Sequence, residues 1–168
     1  MIVENIERRM DAASLLVEEG VRPGVRNIKK SALFRSAITL LATVVEAMVF
    51  EFVKKHTKAP DHVIDTYPEH VEFGRVSGTL FKRTNNVLFC EKLPKQRKIT
   101  DEGVGFGKLN VFLKNKELVS EALYSELEWV RKERNRLHMQ SLSEPDTGYT
   151  MGKINRINAA ITDLTPIR

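Results

Sequence analysis

Between positions 131 and 138 the chain reads Arg-Lys-Glu-Arg-Asn-Arg-Leu-His. On a helix turning roughly 100° per residue, Arg131, Arg134, Asn135 and His138 fall within an arc of about 100°. That face would carry two permanent cations, an amide and the one side chain that titrates near neutrality. Guanidiniums grip phosphate oxygens in bidentate fashion and an imidazole moves protons, so the set has the chemistry to cut a phosphodiester without a metal. The same residues also suit a solvated helix end, because cations near a helix C-terminus oppose the macrodipole.

The surrounding residues bear on that choice. Val119, Leu123, Leu127, Val130 and Leu137 predict the core stripe of a helix from Glu117 to Leu142. The polar set runs along the edge of this stripe, with Tyr124, Met139 and Leu142 extending the apolar surface on its far side. A polar strip hemmed in by apolar residues predicts a cleft or a subunit junction, so the expected assembly is a homodimer with this helix at or beside the interface.

Other elements must position that helix. Ile6, Met10, Ala13 and Val17 predict a first helix over Asn5 to Glu19, stopped by Gly20. Asn27 to His56 is apolar almost all round and predicts the central helix. Within it Glu46 is a carboxylate that needs a partner, and Arg134, then Arg131, are the expected ones. Prolines, glycines and Asn85-Asn86 break up the stretch from Lys58 to Thr100, which reads as an irregular insertion with room for a small hairpin. Phe106, Leu109, Phe112 and Leu113 mark a short third helix, and Met151 to Leu164 a last one. The expected architecture is an all-α, up-and-down helical bundle in one domain over 1–168, with an insertion at 58–100 and a C-terminal helical extension at 146–168.

Composition narrows the function. A chain of 168 residues can bury a core without disulfides, and Cys90, its sole cysteine, cannot form an internal bridge. The four histidines, His56, His62, His70 and His138, have no ligand spacing, so neither a metal nor a cofactor is expected. The run Gly103-Val-Gly105-Phe-Gly107-Lys108 lacks the spacing and strand context of a phosphate-binding loop. The start of the chain lacks the apolar stretch of a secretory leader, and the run from Ile38 to Val53 is short for a membrane span and carries Glu46 and Glu51. A cytoplasmic protein without a membrane partner is expected. The net charge is +5, and the seventeen residues from Lys82 to Lys98 hold six cations and one acid, Glu91. Lys92, Lys95, Arg97 and Lys98 are the expected phosphate contacts to RNA, unless they form an ordinary solvated loop.

Two N-terminal helices, an interrupting segment, a shorter helix and a helix ending in Arg, Asn and His resemble the HEPN superfamily (higher eukaryotes and prokaryotes nucleotide-binding domains). The resemblance spans Asn5 to Leu142. Active members are metal-independent ribonucleases of toxin–antitoxin, abortive-infection and related defence systems, with an arginine, a polar residue and a histidine four to six residues further on. Arg131 to His138 has six intervening residues, whereas Arg134-Asn135 matches the arginine-polar pair but stands three residues from His138. Glu46 corresponds to the acidic residue of an early helix. The resemblance implies a homodimeric endoribonuclease that leaves a 2′,3′-cyclic phosphate, with catalysis by Arg131, Arg134, Asn135 and His138, support from Glu46, and a cognate antitoxin as a further partner. Its alternative is a non-catalytic binding or scaffold module that holds RNA or nucleotide without cleaving it.

Overall fold

The structure, a computed structural model, describes residues 2–76, 87–139 and 148–165; of residues 2, 3, 70–76, 87–91, 138 and 139 it describes the backbone alone. Among the described residues the protein is mostly helical, with one two-stranded sheet. Two compact units form, one from Met1–His56 with Val104–Arg168 and the other from Thr57–Gly103.

The first unit contains α1 (Ile2–Val21), α2 (Asn27–His56), α3 (Phe106–Asn115), α4 (Glu121–Met139) and α5 (Met151–Leu164). Helix α2 is the central one, because the other four all pack on it. Ala37, Ile38, Ala42, Val44, Val45, Val49 and Val53 are fully buried along it, which is why its sequence is apolar nearly all round. By length and composition α2 could cross a membrane, and 56% of its most apolar window is buried by the rest of the protein.

Helix α1 runs past its expected stop. Gly20 lies inside its last turn, where an added Cβ would stand 2.7 Å from the buried Phe34 ring, so the glycine permits close approach of α1 to α2. The C-terminal helix, expected as an extension, is part of the helical unit. Ile154, Ile157, Ala160, Ile161 and Leu164 of α5 are buried, and the helix packs against α2 and α4.

The second unit holds the hairpin for which the expected insertion left room, but the hairpin is long and regular and the unit is compact by itself. Its strands β1 (Val63–Val76) and β2 (Val87–Lys98) pair antiparallel over almost their whole length. Pro68 and Pro94, which argue against strands in the sequence, stand opposite one another in the register. A sheet of two strands has only edges, where a residue without an N–H is tolerated.

Candidate active site on the fourth helix

Local chemistry sets where α4 begins. Glu117 adopts the left-handed region at φ 53°, which takes the chain out of the preceding turn. Ser120 then caps the helix, its Oγ accepting from the Leu123 N–H at 3.2 Å. The helix therefore starts at Glu121, later than the expected Glu117, and Val119 precedes it. Leu123, Leu127, Val130 and Leu137 are buried as the periodicity predicts. They fix the rotation of the helix and thus the direction of its polar residues.

Arg134 and Glu46 meet across α4 and α2. Arg134 Nη2 lies 3.0 Å from Glu46 Oε2 and Nη1 lies 3.3 Å from Oε1, a bidentate pair. The expected pairing is present, but the expected burial is partial: the two side chains keep 28% and 27% of their surface exposed. The reason is that both line a cavity of about 500 Å³, walled also by Thr43, Phe50, Phe106 and Leu109. A guanidinium has five N–H donors, and the bidentate grip on Glu46 uses two of them.

Arg131 has a different partner, one absent from the sequence reading. Its Nε and Nη2 donate to Glu128, at 3.0 Å and 2.8 Å to Oε2, and Asn110 Nδ2 of α3 donates to Glu128 Oε1 at 3.0 Å. Asn110 is fully buried. Gly107 lies against the same arginine, where an added Cβ would come 3.3 Å from Arg131 Cδ. The glycine run thus does work other than phosphate binding: Gly103 makes a turn at φ 77°, Gly105 precedes the first residue of α3, and Gly107 leaves room for Arg131.

Burial pushes the Glu128 carboxyl up, but the hydrogen bonds from Arg131 and Asn110, with the Arg131 charge, outweigh it and hold the group below the ordinary glutamate value. The Glu128 hydrogen bond in turn raises Arg131. A carboxyl depressed in the folded state stabilises the fold fully above its unfolded pKa, near 4.3 for glutamate, and that contribution fades as pH falls through the lower folded value. Glu128→Gln is therefore expected to lower the melting temperature at pH 7, with the gap from the parent closing below about pH 4. Thermal melts of both proteins across that range would show it, and a gap that widens in acid would contradict it.

Arg136 points elsewhere. The carboxylate of Glu133, a residue 7% exposed, accepts at 2.6 Å from both Arg136 Nη2 and Lys153 Nζ of α5. The sequence reading misses Glu128 and Glu133, although their i,i+3 spacing before Arg131 and Arg136 is a signal for such pairs, and nothing in the sequence links Asn110 or Lys153 to α4.

Asn135 is exposed. The backbone of His138 lies one helical turn beyond Arg134, and its side chain is outside the described residues. Of the expected interface residues, Tyr124 is half-buried with Lys114 Nζ 4.5 Å above its ring, whereas the Met139 side chain and Leu142 lie outside the described residues.

The expected RNA contacts fall on β2 in the second unit. Strand alternation puts Lys95 and Arg97 on one face and Lys92 and Lys98 on the other, so they do not make a single patch. Three have acidic partners that precede them in the chain: Lys95 with Glu69 at 2.6 Å, Lys98 with Asp61 at 2.7 Å, and Arg97 with Asp65. Glu69 raises Lys95 and Asp61 raises Lys98 above the ordinary lysine value, in each case first through the hydrogen bond. Among the described residues no group of three or more His, Cys, Asp or Glu side chains could hold a metal ion. His56 Nδ1 donates to the Phe52 carbonyl at 2.9 Å, and His62 Nδ1 pairs with Thr57 Oγ1 at 2.8 Å.

Comparison of the chain with protein-family models, with curated proteins and with solved structures gives no match.

Proposed function

We propose that the protein is a HEPN-like, metal-independent endoribonuclease that acts as a homodimer. The observation that carries this reading is the Arg134–Glu46 pair: a guanidinium fixed by a carboxylate of the central helix, a quarter exposed, at a cavity wall one turn from His138. Fixing the cation in advance lowers the cost of aligning it with a phosphorane. In the reaction, His138 takes a proton from the ribose 2′-hydroxyl as that oxygen attacks phosphorus, and the bond to the 5′-oxygen breaks. The leaving oxygen receives a proton from a second acid, for which the copy of His138 on a partner subunit serves. Arg134 steadies the charge on the phosphorane, and Asn135 orients phosphate or imidazole. Arg131, tied to Glu128, which also accepts from Asn110 of α3, holds the helix in place. The products are a 2′,3′-cyclic phosphate and a 5′-hydroxyl.

The purified protein, incubated with varied single-stranded RNAs in EDTA, is expected to cleave them, leave cyclic phosphate ends and spare DNA of the same sequence. Light scattering at micromolar concentration is expected to give twice the monomer mass. A monomer that leaves all RNAs intact would contradict the reading.

A second reading has its own observation. Arg131, Arg134 and Arg136 each face a carboxylate, Glu128, Glu46 and Glu133 respectively, as in a helix whose charges hold a fold together. The protein is then a binding or scaffold module whose partner is an antitoxin protein or RNA, and RNA stays uncut.

A further inference from the structure

The cavity beside Arg134 has features that the cleavage chemistry does not use. Two of the residues that line it carry buried polar atoms with no hydrogen-bond partner: Glu51 Oε1, an acceptor, and Arg134 Nε, a donor. A buried polar atom left unmet is costly, and because both residues line the cavity, a small turn of each side chain would let a ligand there supply what the atom lacks. Asn5, Arg9, Thr43 and Glu46 add polar groups to the wall, and Phe50, Phe106 and Leu109 give it an apolar, partly aromatic side that suits a flat heterocycle. At about 500 Å³ the cavity is in the size range of small-ligand sites.

We infer that this cavity is a base-binding pocket selective for guanine, with Glu51 reading the base. A carboxylate accepts two parallel hydrogen bonds. Guanine alone among the four RNA bases offers two adjacent donors, N1–H and the N2 amino group, on its Watson–Crick edge. Cytosine and adenine place one amino group beside an acceptor that would face the second carboxylate oxygen, and uracil flanks its single N–H with carbonyls. On its other edge guanine carries the O6 and N7 acceptors that an arginine donor needs. Pocket occupation would set which nucleotide lies next to Arg134 and His138, and to that extent the inference rests on the nuclease reading. The base itself could arrive within RNA or as a free nucleotide.

The test uses the full-length His138→Ala variant in EDTA, so that no cleavage enters, and titrates it calorimetrically with GMP, AMP, CMP and UMP and with short RNAs containing one or no guanosine. Guanine is expected to bind at least about tenfold more tightly than the other bases, and Glu51→Gln to remove that preference. Binding of GMP as tight as that of the RNA identifies a nucleotide site, and binding of the guanosine-containing RNA alone identifies an RNA subsite. Equal affinity for all four bases, or no binding of GMP or RNA, overturns the inference and needs no second variant to do so. A guanine preference unchanged in Glu51→Gln, whose folding is checked by its melting temperature, removes Glu51 as the reader. Guanine binding by a protein that never cuts RNA leaves the pocket and removes the nuclease; cleavage with no guanine binding does the reverse.

Discussion

Arg134→Ala is expected to slow RNA cleavage by about 10²–10³-fold, the loss seen when a preorganised donor is removed from a developing negative charge. Arg134→Lys should recover only part of the rate, because a lysine keeps the charge but cannot reproduce the bidentate hold on Glu46. Arg131→Ala should behave differently. It strips Glu128 of its guanidinium partner and leaves it only the Asn110 hydrogen bond, and a part-buried carboxylate short of partners costs about 1–3 kcal/mol of stability. Measuring kcat per folded molecule together with melting temperature separates the roles: Arg134→Ala also leaves Glu46 without its partner and loses stability, but the rate of the folded protein falls only at Arg134. The opposite assignment would place the phosphate at Arg131.

Leu127→Ala is expected to cost about 2–5 kcal/mol, the range for deleting a fully buried leucine side chain from a packed core. Leu127 has no exposed surface, and on the helical wheel it lies roughly 20° from Arg134, directly under the arginine's face of α4. The cavity it leaves would let the helix rotate, so a loss of activity beyond that explained by unfolding should accompany the loss of stability. Denaturant titration gives the first quantity and single-turnover kinetics in native buffer the second. A loss of stability under 1 kcal/mol would mean that α4 is held chiefly by its ion pairs rather than by its apolar stripe.

What the sequence disclosed follows from the range of the interactions involved. Helices α2 and α5 have the bounds their apolar patterns predict, because periodicity is a local signal repeated many times over. The Arg134–Glu46 pair was legible because a carboxylate in an apolar helix demands a cation and Arg134 lies on the side of α4 turned partly toward the core. Asn110 was not, since a lone amide among Leu109, Phe112 and Leu113 gives no sign of which carboxylate it will meet. The hairpin for which the sequence left room is longer than expected, for a related reason. A proline stands within each strand, and the charges along β2 make sense only once Asp65 and Glu69 of β1 stand beside them. The same pairing means that the cationic run from Lys92 to Lys98 offers a polyanion less charge than its sequence suggests.

The most direct test of the nuclease reading compares the parent protein with His138→Ala on one radiolabelled single-stranded RNA in EDTA, both at matched concentration and with matched melting temperatures. The parent is expected to yield fragments ending in 2′,3′-cyclic phosphate, and His138→Ala to cut about 10²–10⁴-fold more slowly, the contribution of general acid–base catalysis. Equal cleavage by both proteins, or none by a folded parent on any RNA, would contradict the account.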